Sequence, residues 1–84
     1  MAGLFKKVRN RATGQRYVIS TIRKTEHLFE TAVFEANLLY FPRRLKQPDL
    51  IVHCHTPEEA DLTHQHLAQR LEVELPARIF QEYC

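Results

Sequence analysis

Four consecutive residues, Thr56-Pro57-Glu58-Glu59, constrain this chain more than any other stretch. Thr56 is a side chain whose hydroxyl accepts from a free N–H of a helix's first turn. Pro57 presets the backbone of the first helical position, where its missing N–H costs nothing. Glu59 completes a capping box with Thr56. Glu58, Glu59 and Asp61 complement the positive end of the helix dipole, and Arg70 suits the negative end. Ala60, His64, Leu67, Ala68 and Leu71 recur on one side, so the spacing predicts a helix from 57 to about 73 with that face buried.

Three stretches ahead of that helix read as strands. Tyr17–Ile22 is rich in β-branched residues, with Tyr17, Ile19 and Thr21 on one face and Val18, Ser20 and Ile22 on the other. Residues 28–35 form the second strand, with Phe29, Thr31 and Val33 opposite Leu28, Ala32 and Phe34. Both faces are apolar, as in a central strand covered on both sides. Residues 50–55 form the third, with Leu50, Val52 and Cys54 opposite Ile51, His53 and His55. The links are short, so the expected fold class is α+β: a three-stranded antiparallel meander with one C-terminal helix on one face, β-β-β-α. A fourth strand follows if residues 77–83 add one; otherwise they form a tail. Leu4, Val8 and Ala12 fall at i, i+4 and i+8, which predicts a short helical turn over 4–12 before a stop at Ala12-Thr13-Gly14. The expected organisation is one domain, 1–84, made of a basic segment 1–15, a core 16–75 and a strand or tail 76–84.

One helix covers one face of such a sheet. The other face, expected to carry Phe29, Val33, Ile51 and one side of the first strand, needs a partner. Leu38, Leu39, Tyr40 and Phe41, stopped by Pro42, either extend the second strand or cross the sheet as a loop, and they add four large apolar side chains to a thin core. Thin it must be: a chain of 84 residues buries only about 60–65% of its unfolded surface.

Composition excludes several functions. No apolar run approaches the roughly 18–20 residues of a membrane span, and the first residues lack the apolar stretch of a secretory signal. Two cysteines, Cys54 and Cys84, make no disulfide framework, so a reducing, cytoplasmic setting is expected. Gly3 and Gly14 are the only glycines, too few for a dinucleotide fingerprint or a phosphate-cradling loop. Ser20, the only serine, sits in a β-rich run and not in a nucleophile elbow.

Three sets of residues could carry chemistry. His53 and His55 share one strand face, a spacing that zinc sites use. However, Cys54 points the other way, His66 is turned about 200° from His64 on the helix, and His64 belongs to the opposite side of the sheet. No metal or cofactor is therefore expected. Glu30 and His64 are a candidate polar pair, with His64 as a core-edge imidazole bonded to Glu30 or a strand carbonyl. The third set is electrostatic. The net charge of +2 hides a division: residues 1–25 carry seven Lys/Arg and no acid, while the rest carries all ten acids and five Lys/Arg. Lys6, Lys7, Arg9, Arg11 and Arg16 are candidate contacts to nucleic acid, although Arg16, Arg23 and Lys24 could pair with Glu30, Glu35 or the helix acids.

Phe29-Glu30-Thr31-Ala32-Val33-Phe34 followed by Thr56-Pro57-Glu58-Glu59-Ala60 and His64, with Ile19-Ser20-Thr21 ahead of them, resembles a group of small uncharacterised bacterial and phage-type proteins. That group has a Phe-Glu-Thr-x-Val-Phe strand and a Thr-x-x-Glu-Ala-x-x-x-His helix start. The likeness covers roughly residues 17–71. Thr63 stands where the group commonly has Gly. The resemblance implies the fold and a pairing of Glu30 with His64, and it supplies no reaction.

The leading functional expectation is a non-enzymatic protein-interaction module. It would self-associate, as a dimer, through its uncovered sheet face or through Leu38, Leu39, Tyr40 and Phe41. The alternative is a nucleic-acid-binding protein using residues 6–24. The least supported is an enzyme or metal protein using Glu30, His64 or the His53/His55 pair.

Overall fold

The computed structural model describes residues 3–44 and 46–83. Its central hairpin pairs β2 (Arg16–Thr25) with β3 (Leu28–Ala36), antiparallel, from Arg16↔Ala36 to Ile22↔Glu30, with an irregularity between Arg23 and Thr25. β4 (Leu50–Cys54) joins the outer side of β3, with Val33↔Leu50 and Phe29↔Cys54 opposite each other. The fourth strand is β1 (Gly3–Arg9), not a C-terminal one: it pairs with β2 in unbroken register, Gly3↔Ile22 to Arg9↔Arg16. This corrects the helical turn expected over 4–12. A turn or two of helix cannot support itself, whereas the alternation of Leu4, Lys6 and Val8 against Phe5, Lys7 and Arg9 suits a strand beside an unpaired edge. Gly3–Arg9 of the basic segment is thus part of the sheet rather than an appendage. The stop at Ala12–Gly14 stands as the β1–β2 turn, where Gly14 takes φ +73°, a conformation glycine adopts without strain.

Helix α1 (Pro57–Val73) has the expected bounds, and Thr56 Oγ1 accepts from the Glu59 N–H at 3.1 Å. Its buried face is Ala60, His64, Leu67, Ala68 and Leu71. Residues 77–83 also correct expectation: they belong to a second helix, α2 (Pro76–Tyr83). Pro76 again starts a helix, and Ile79 and Phe80 recur on the inner side; Ile79 is fully buried and Phe80 meets Tyr17 edge-on at 6.1 Å. Arg70 ties the two helices together, bonding Glu74 and, across to α2, Glu82.

The core lies between sheet and helices. Val8, Tyr17, Ile19, Val33 and Leu50 pack against Leu67, Ala68, Leu71 and Ile79, and Phe29 and Cys54 pack against Ala60. Phe29 and Val33 therefore face the helices. They were expected on the uncovered side, but their partners across the ladder, Cys54 and Leu50, fix them to the helix side. Burial raises the Tyr17 phenol to about 12, with Glu35 and Asp49 adding to the effect.

Of the two paths open to residues 38–41, the chain takes the loop. Asn37 Oδ1 accepts from the N–H groups of Leu39 (2.9 Å) and Phe41 (3.1 Å), Tyr40 adopts φ 63°, and Ala36 bridges Pro42. Leu38, Leu39 and Phe41 stay 75%, 72% and 62% exposed.

Candidate functional site

The face of the sheet away from the helices is built from alternate residues of four strands. Register places them in rows: Gly3, Ile22, Glu30 and His53; Phe5, Ser20, Ala32 and Ile51; Lys7, Val18 and Phe34; Arg9, Arg16 and Ala36. Ionic groups occupy the two ends and apolar groups the middle. Phe5 is 60% exposed, and Ile22 and Ile51 are exposed beside it.

At one end Lys7, Arg9 and Arg16 converge. Arg9 and Arg16 are directly opposed across the ladder, an arrangement in which like charges repel. None of the three forms an ion pair among the described residues. Instead the 37–44 loop brings Tyr40 over this end, with Lys7 Nζ 5.9 Å and Arg16 Cζ 5.7 Å from the ring centre. These are cation–π distances. Val18, between them on the same face, is 1% exposed. Arg16 and Arg43 also line a polar hollow of about 190 Å³ beside the loop.

At the other end Glu30 lies 3.4 Å from His53 Nε2 and 4.0 Å from Lys24 Nζ. Its partners are therefore on the uncovered face, and the expected pairing of Glu30 with His64 does not form. Strand alternation sends Glu30 to one side of the sheet while α1 holds His64 on the other. His64 Nδ1 instead meets Thr21 Oγ1 at 2.8 Å, and Thr21 Oγ1 meets Thr31 Oγ1 at 2.7 Å, a buried polar ladder linking helix and sheet. Burial holds the His64 imidazole below the ordinary histidine range; Asp61 opposes this and Lys6 reinforces it. Hydroxyls that can both donate and accept suit a neutral ring. His55 turns to the His27 carbonyl at 3.3 Å. Among the described residues, no three His, Cys, Asp or Glu side chains converge as metal ligands, and no helix is long and apolar enough to cross a membrane. Cys54 is a buried free thiol; Cys84 lies outside the described residues.

No family model matches the chain, and comparison with curated proteins and with solved structures returns no match.

The structure divides the basic residues that the sequence presents as one block. Lys6 points to the helix side, along a groove with His64 and Glu72. Arg11 is held by Glu72 at 2.7 Å. Arg23 lies over the Phe29 ring, and Lys24 sits beside Glu30. Lys7, Arg9 and Arg16 are left together on the uncovered face. Sequence reading alone missed the part of Tyr40, because a loop residue's approach to a strand 24 positions away has no local signature. It also missed Phe5, whose exposure depends on β1 being a strand.

Proposed function

We propose that the protein is a non-enzymatic binding module whose uncovered sheet face binds nucleic acid. One observation carries this reading: Lys7 and Arg16 lie against Tyr40, Arg9 stands opposite Arg16 across the ladder, and the three share a sheet face with the exposed Phe5 and form no ion pair among the described residues. Three phosphate-pairing cations set next to aromatic and apolar surface match the two demands of a nucleic-acid strand, charge neutralisation and stacking. The same charges weigh against the sheet face as a self-association surface. Lys24 and Glu30 cancel, so each face carries three uncompensated positive charges, and face-to-face pairing of two copies would bring like charges together. A free, buried Cys54 suits a reducing, cytoplasmic setting.

The test is a titration of isotope-labelled protein with a mixed-sequence oligonucleotide, followed by amide NMR shifts. The reading predicts shifts concentrated in residues 5–9, 16–22 and 37–41. Shifts confined to α1 and α2, or no shifts at low salt, would contradict it.

Self-association retains support at a different place. Leu38, Leu39 and Phe41 stand exposed on a loop that Asn37 holds in one shape. A dimer formed through this loop is what sedimentation at high protein concentration would detect and Leu39→Glu would abolish.

A further inference from the structure

Resting on the reading of the sheet face as a nucleic-acid surface, we infer that its ligand is an unpaired strand and that Phe5 is the platform on which a base stacks. The first argument is width. Four strands spaced about 4.8 Å apart set the outer two roughly 14 Å apart before any side chain is added. The major groove of a duplex is about 12 Å wide, so this face cannot enter it. An undeformed duplex would meet this flat face chiefly through its phosphates, leaving the apolar centre of the face uncovered; a sheet that reads a duplex through the minor groove must bend and open it.

The second argument is the relief of that centre. In the row Phe5, Ser20, Ala32, Ile51 the two outer strands carry large apolar side chains and the two inner strands carry small ones. Phe5 and Ile51 therefore stand exposed at the two edges of the row, with Ala32 buried between them. A flat ring can lie against the exposed Phe5; in a duplex the base faces are already stacked on their neighbours. Exposed aromatics on an open four-stranded sheet are a recurrent way of holding unpaired bases.

The third argument is spacing. Phe5, Lys7 and Arg9 alternate on one strand and share the face, so successive side chains are about 7 Å apart. A base against Phe5 leaves its backbone running towards Lys7 and Arg9, with Arg16 opposite Arg9 across the ladder. Tyr40 already lies against Lys7 and Arg16. It holds those two cations in place, and of the two phenylalanines on the face Phe5 is exposed while Phe34 is half-buried.

The experiment is fluorescence anisotropy with a labelled oligonucleotide, as RNA and as DNA, free and annealed to its complement. The inference predicts that at least one of the two single strands binds about tenfold or more tighter than its duplex. Phe5→Ala should weaken single-strand binding by about 5- to 100-fold, the usual worth of one stacked base, and leave duplex binding within about twofold. Phe5 is an exposed edge-strand residue, so the fold should survive; Phe5→Leu keeps the bulk without the aromatic face and should lose as much as alanine, while Phe5→Tyr should retain binding. Equal or tighter binding of duplex, or full binding by Phe5→Leu, would overturn the inference and leave nucleic-acid binding by the face standing. No binding of either form would overturn both.

Discussion

Asn10 shows how much one side chain can organise. It is completely buried, and its amide nitrogen donates to the carbonyls of Leu71 (2.7 Å) and Glu74 (2.6 Å) at the end of α1. Its Oδ1 accepts from the N–H groups of Ala12 and Thr13 in the β1–β2 turn. One residue thus closes a turn and satisfies carbonyls that a helix end leaves free. Asn10→Ala strands these groups and is expected to cost about 2–4 kcal/mol, read as a lowered midpoint in urea; a midpoint within error of the parent would contradict the assignment. Nothing near Asn10 in the sequence marks it, since its helix partners lie more than 60 positions away. His64 was legible as a buried residue of the helix face, but its partner was not, because Thr21 reads locally as just another β-branched strand residue. Burial lowers the folded-state value of His64 below the unfolded 6.5. The unfolded chain therefore takes up a proton first as pH falls, and this contribution to stability, intact above about 6.5, is lost progressively below it. His64→Asn should remove that loss: the stability gap between parent and variant is expected to narrow from about pH 7.5 to about pH 5, in urea titrations. A gap independent of pH would show that His64 does not titrate as argued.

At the scale of elements, the sequence was clear where local chemistry and periodicity agree. Thr56, Pro57 and the spacing of Ala60 to Leu71 define α1, and the β-branched runs define β2, β3 and β4. It was misleading at both ends of the chain. Leu4, Val8 and Ala12 satisfy a helical period and Leu4, Val8 and their neighbours also satisfy a strand alternation; the free edge of β2 decides between them. Residues 76–83 are too few to declare a period, and the contact of Ile79 and Phe80 with the core settles them as α2. Ile79→Ala is expected to destabilise the whole domain by about 2–4 kcal/mol and to speed hydrogen exchange throughout α2. An effect limited to local fraying would mean that α2 is an accessory to the core and not a part of it.

At the scale of the molecule, a one-sided α+β layer leaves a sheet face bare. The arrangement of charge on that face is what distinguishes possible partners. The excess of positive charge in residues 1–25 was plain from the sequence, but its meaning was not: strand alternation turns Lys6 to the helix side, three separate contacts engage Arg11, Arg23 and Lys24, and only pairing of β1 with β2 brings Lys7, Arg9 and Arg16 together. Salt dependence tests that cluster most directly. Binding of a single-stranded oligonucleotide, measured across a series of salt concentrations, should weaken linearly in log–log form with a slope near −2, from about 0.7 released counterions per neutralised phosphate. Replacing Lys7, Arg9 and Arg16 together with Gln should flatten that slope towards zero and abolish most of the affinity. A triple variant that binds as tightly as the parent, with the same slope, would contradict the claim that this face is the binding surface.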